Sequence, residues 1–114
     1  MPQNTATRTA NPPAPAAVEP RREPRPIPRF HVVLINDDDH TYEYVIEMLG
    51  KLFGYSVPRA YAMAEEVDTT GRVIVDTTTL ERAEFKRDQI HAYGADWRIE
   101  RCQGSMTASV EPAD

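Results

Sequence analysis

The apolar run Phe30-His31-Val32-Val33-Leu34-Ile35 halts at Asn36-Asp37-Asp38-Asp39. Short, β-branched and bounded by polar turn formers, it predicts a buried strand over residues 30–36. Behind the acidic stop, Tyr42, Val45, Ile46, Leu49, Leu52 and Phe53 recur at i, i+3, i+4, i+7, i+10 and i+11. That period predicts an amphipathic helix with Glu43 and Glu47 outward and Gly54 as its stop. Val57, Ala60, Tyr61, Ala64 and Val67 repeat the period behind Pro58, a residue suited to a first helical turn. Asp68-Thr69-Thr70-Gly71 ends this second helix, and Arg72 to Thr77 reads as a strand centred on Val73, Ile74 and Val75. The Thr77-Thr78-Thr79 run offers a helix cap, with Thr78 and Glu81 at capping-box spacing, which predicts a third helix over about 79–94. Leu80, Ala83, Ile90 and Tyr93 mark its apolar face, which Arg87 interrupts.

Residues 97–102 and 106–111 alternate as strands around Gln103-Gly104-Ser105, either as a hairpin or as one bulged strand. The order is therefore β-α-α-β-α-β. Two helices in tandem argue against a purely parallel sheet. The expected class is α+β, a two-layer sandwich with three helices on one face of a small antiparallel sheet of three or four strands.

Composition divides the chain in two. Eight of the ten prolines lie in residues 1–29, a stretch with five arginines against two glutamates and a net charge of +3. The chain total of −5 leaves −8 on residues 30–114. Little apolar surface and much proline predict a disordered Pro/Arg-rich tail over 1–29 and one small domain over 30–112. An acidic domain argues against nucleic acid as its partner. No secretory core and no membrane-length apolar stretch occurs, and the single Cys102 allows no intrachain disulfide. A cytoplasmic location follows as the expectation.

The chemistry concentrates at the strand-to-helix junction. Asn and Asp there satisfy orphan helix amides and complement the positive helix end, yet one cap is needed and four candidates are present. Asp37, Asp39 and Thr41 have the spacing that opens a calcium loop, but Tyr42 replaces the required glycine and Met48 the required glutamate. His31, His40 and His91 are scattered, and no nucleophile elbow, phosphate loop or zinc-helix motif occurs. Neither a metal, a cofactor nor an enzyme activity is expected.

These residues resemble the ClpS family, the N-end rule adaptors of the Clp protease. The resemblance covers residues 30–111 and runs in register without gaps from Phe30 to about Tyr93. It rests on the strand ending in Asn36-Asp37-Asp38, the Glu43-Tyr44-Val45-Ile46 helix opening, the Gly71 turn, and Thr79-x-Glu81-x-Ala83-Glu84-x-Lys86. The final Val110-Glu111-Pro112 also matches.

The resemblance implies an adaptor that binds the free N-terminal residue of a substrate and delivers it to a Clp AAA+ unfoldase of the ClpA or ClpC kind. It implies that Asn36, Asp37 and Asp68 hold the α-ammonium, a cation with three donors that needs converging acceptors. It implies a pocket for the first side chain built from Asp38, His40, Tyr42, Val45, Ala64 and Val67. Glu81 and Lys86 match the protease-facing surface, and the tail matches the family's flexible delivery extension. No nucleic acid, membrane or second copy of the chain is implied.

Three departures stand out. Asp68 replaces a histidine that helps to hold the ammonium, Ala64 replaces a bulky methionine of the pocket wall, and Tyr42 replaces the methionine that often gates the pocket. The alternative is a ClpS-like domain that has lost free-amine recognition and only modulates the Clp ATPase.

Overall fold

The computed structural model describes residues 27–114. Most of the expected tail, residues 1–29, lies outside the described residues. The elements are β1 (Phe30–Ile35), α1 (Tyr42–Phe53), α2 (Val57–Thr70), β2 (Arg72–Thr78), α3 (Leu80–His91) and β3 (Thr107–Pro112). Their order is β-α-α-β-α-β, and the three strands form one antiparallel sheet in the order β2-β1-β3.

Central placement explains why β1 is a continuous apolar run. Val32, Val33 and Leu34 are all fully buried, because a strand paired on both edges and covered by its neighbours' side chains has no solvent face. The register sets Phe30 opposite Thr78 and Pro112, and Ile35 opposite Arg72 and Thr107. Val75 is the extra residue of β2 at a bulge facing Val32 and Val33. Val32 and Leu34 join Val73, Val75 and Ala108 in a core with Tyr44, Val45, Met48, Leu49, Ala60, Ala64, Val67, Ala83 and Ile90 of the helices. In β2 burial alternates at Val73 and Val75, the face on which the helices pack.

Local chemistry sets the helix ends. Thr41 caps α1 by accepting the Tyr44 N–H at 3.1 Å, and Thr79 caps α3 by accepting the Arg82 N–H. Gly54 and Gly71 end α1 and α2 with φ of 73° and 92°, a left-handed conformation that costs a side-chain-bearing residue energy. The Gly71 carbonyl then accepts the Asn36 N–H at 3.0 Å, which joins the end of α2 to the end of β1.

Three sequence expectations need correction. Residues 97–102 form turns and no strand, so among the described residues the sheet has three strands, and the hairpin and bulged-strand readings both fail. The cause is Asp96, whose carboxylate accepts the Arg98 N–H at 3.0 Å and folds the chain back where a strand would begin. Helix α3 ends at His91 instead of Gly94; the chain leaves it at Ala92, and Gly94 makes a later turn at φ 112°. Its buried stripe is Ala83, Lys86 and Ile90, while Leu80 is exposed. Among the described residues no helix is long and apolar enough to cross a membrane.

Candidate functional site

The end of β1, the turn after it, and the facing sides of α1 and α2 enclose a cavity of about 170 Å³. Asn36, Asp37, Asp38 and His40 come from the turn, Tyr42 and Val45 from α1, and Ala64, Val67 and Asp68 from α2. Every residue named above for the amine and side-chain pockets therefore lines one opening. Thr41 and Met106 complete the lining. Met106 is buried and comes from the residue just before β3, more than sixty positions along the chain. The sequence offered Asn36–Asp39 as caps of α1 and placed Thr41 only in the calcium-like spacing, whereas the structure makes Thr41 the cap. Nothing in the local pattern around Met106 separates a pocket wall from an ordinary core position.

The turn is held in a definite shape. Asp37 Oδ1 accepts the Asp39 N–H at 2.9 Å and lies 2.6 Å from His40 Nδ1. The other ring nitrogen of His40 sits 2.8 Å from the Gly104 carbonyl oxygen. Among the described residues, neither Asp37 Oδ2 nor the Asn36 carboxamide has a hydrogen-bond partner. One carboxylate oxygen thus fixes the turn while acceptor capacity is left over beside the cavity.

Tyr42 spans the gap between α1 and α2. Its hydroxyl donates to Asp68 Oδ2 at 2.8 Å, and its ring meets Tyr61 edge-on at 5.6 Å between centroids. The hydrogen bond to Asp68, with burial and the nearby carboxylates, pushes the Tyr42 phenol up to about 12. The phenol therefore stays protonated and keeps donating at neutral pH. Among the described residues, Asp68 Oδ1 has no hydrogen-bond partner.

Glu81 and Lys86 differ in exposure. Glu81 is exposed in the first turn of α3, whereas Lys86 is only 8% exposed. The Lys86 ammonium donates to the Leu52 carbonyl and lies 5.0 Å from the Phe53 ring centroid. Its stem fills the buried stripe of α3 while its head satisfies the C-terminal end of α1, a use that lysine's amphipathic side chain permits. Phe85, 57% exposed, lies beside it on the outer side of α3.

The calcium-like spacing builds no metal centre. Asp37 is joined to His40, Asp39 to Arg101 at 2.6 Å, and Thr41 to Asp96. Among the described residues no group of three or more His, Cys, Asp and Glu side chains could hold a metal ion.

A small α+β domain with acceptors at the mouth of a cavity has the form of a binding site. The family model described as ATP-dependent Clp protease adaptor protein ClpS matches residues 25–97. The chain is 35% identical over 72 residues to the ATP-dependent Clp protease adapter protein ClpS of Salmonella arizonae, covering 63% of this chain and 68% of that one. It is 36% identical over 76 residues to the protein of the same name from Erwinia tasmaniensis, covering 67% and 72%. The structure of Agrobacterium tumefaciens ClpS2 bound to L-phenylalaninamide superposes with a TM-score of 0.66 at 21% identity, over 76% of this chain and 99% of that one. The last comparison establishes the shared fold. The chain belongs to the ClpS family, and it is an adaptor of the Clp protease without catalytic activity.

Proposed function

We propose that this adaptor binds proteins through a free, bulky hydrophobic N-terminal residue and delivers them to a Clp AAA+ unfoldase of the ClpA or ClpC kind. In this reading Asn36, Asp37 and Asp68 receive the α-ammonium, and Asp38, His40, Tyr42, Val45, Ala64 and Val67 surround the first side chain. The observation that carries it is the meeting of spare acceptors at the mouth of the cavity with an apolar inner wall of Val45, Ala64, Val67 and Met106. Each charge-assisted hydrogen bond contributes about 1.5–3 kcal/mol net, and burying one large side chain contributes about as much. Micromolar affinity needs about 8 kcal/mol, so both halves of the site are required.

Size narrows the choice of side chain. A volume of about 170 Å³ is on the scale of one side-chain ring, since a cavity of about 150 Å³ accepts benzene. The protein would act as a cytoplasmic monomer, with Glu81 and the edge of Lys86 facing the ATPase. The test is binding of a peptide beginning with Phe, free or N-acetylated, to the wild type and to Asn36→Ala. Loss of affinity on acetylation and in the variant is expected. Equal affinity for both peptides in the wild type overturns the reading.

A further inference from the structure

The turn that carries Asp37 is gripped from outside by residues 94–105. This segment has no regular secondary structure, and all of it after Trp97 lies beyond the stretch matched by the family model. Its side chains and carbonyls meet the turn residue by residue. Arg101 spans Asp38 and Asp39, donating to the Asp38 carbonyl at 2.8 Å and to Asp39 Oδ1 at 2.6 Å. The Gly104 carbonyl faces the His40 ring nitrogen, and His40 in turn contacts Asp37.

The last grip is the most buried. Asp96 is 1% exposed and does not line the cavity. Its Oδ2 accepts from the Thr41 amide at 2.7 Å and from the Thr41 hydroxyl at 2.8 Å. Its Oδ1 accepts from the Arg98 amide at 3.0 Å and from the Arg98 guanidinium at 3.1 Å. Four donors on two oxygens fill the carboxylate, which leaves it nothing to offer a ligand. Its role therefore has to lie in what it holds. Capping α1 does not account for it, because Thr41 already accepts the Tyr44 N–H. The hydroxyl proton that Thr41 directs to Asp96 fixes the rotamer in which that cap forms, and the Thr41 amide fixes the residue that closes the turn.

We propose that Asp96 is a positioning residue: by holding Thr41 it sets the Asn36–Thr41 turn in the geometry that receives a substrate's amino group. The inference rests on the functional reading above. Arg98 completes the device by neutralising the buried carboxylate and reaching Glu47 of α1 at 3.6 Å, which ties the segment to the helix that follows the turn.

The test uses the full chain and Asp96→Asn, a change that preserves volume. One face of the new amide places an NH₂ against donors, so either Thr41 or Arg98 loses its acceptor. Affinity for a free-amine Phe peptide should fall roughly tenfold, the scale of loss when a supporting contact behind a ligand-binding group is removed. The preference for free over acetylated peptide should shrink, while binding to the Clp ATPase stays at the wild-type level. The loss should persist at high salt, which screens any effect of the deleted charge on an incoming cation. Wild-type preference in a folded Asp96→Asn overturns the inference alone, and so does a loss that vanishes with salt. A wild type that ignores acetylation overturns the functional reading first. Should the variant not fold, amide exchange in the wild type decides: the Thr41 amide should be as protected without peptide as with it, and an unprotected amide in the free protein refutes the role.

Discussion

Tyr42 does two things with one side chain: its ring narrows the opening between α1 and α2, and its hydroxyl occupies one oxygen of Asp68. Because the folded phenol titrates at about 12 against an ordinary 10.0, the protonated form is favoured in the native state. That bond contributes below pH 10 and is lost as pH rises through about 12. Burial also raises Tyr44 and Tyr55, so an ultraviolet titration should show several late tyrosines, of which the one near 12 disappears in Tyr42→Phe and moves toward 10 in Asp68→Asn. Ala64, opposite, decides the room available. Ala64→Met should lower affinity for a Phe peptide by roughly tenfold, the equivalent of overfilling a site by about 1–3 kcal/mol, with a smaller effect on a Leu peptide. Because Ala64 also packs in the core, the larger side chain should lower the melting temperature too, by the equivalent of about 1–3 kcal/mol. Calorimetric titration with both peptides checks this.

Among the elements, the join between α2 and β2 matters most to the site. Gly71 carries the backbone through φ 92° and accepts the Asn36 N–H, so the turn that ends one helix also fixes where the acidic corner begins. An added Cβ there meets nothing within 4 Å, which leaves backbone conformation as the only cost. Gly71→Ala should destabilise the fold by about 1–2 kcal/mol, measured by urea unfolding. Helix α3 makes the complementary point. Its sequence shows an interrupted apolar face, and the structure completes that face with Lys86 by giving its ammonium the Leu52 carbonyl.

For the molecule as a whole, Asp96 joins the two ends of the domain and leaves a pH signature. Burial pushes its carboxyl up, but the hydrogen bonds from Thr41 and Arg98 outweigh that and hold the pKa below the usual carboxylate value. A depressed native pKa means that the stabilisation is complete above the unfolded value, near ~3.9, and is lost as pH falls through the folded one. Acid unfolding of the wild type should therefore be steeper below about pH 4 than that of Asp96→Asn. Parallel melting curves from pH 6 to 2.5 test this, and identical slopes would refute it.

Much of this was legible from residue order alone. The run from Phe30 to Ile35, the i, i+3, i+4 spacing behind it, and the glycines at 54 and 71 specify strand, helices and stops, because these depend on neighbours a few positions apart. The nine residues named for the two parts of the pocket were legible through likeness to a family, and the structure brings them to one cavity. What the order of residues left open depends on contacts between distant segments. Residues 97–102 alternate like a strand, but the free edge of β3 is not extended and Asp96 turns the chain toward Thr41. Met106 reaches the cavity, Arg101 reaches Asp39, and Lys86 turns inward only once the fold places their partners beside them. Local spacing determined the elements; packing between segments far apart in the chain decided the size of the pocket and what holds its rim.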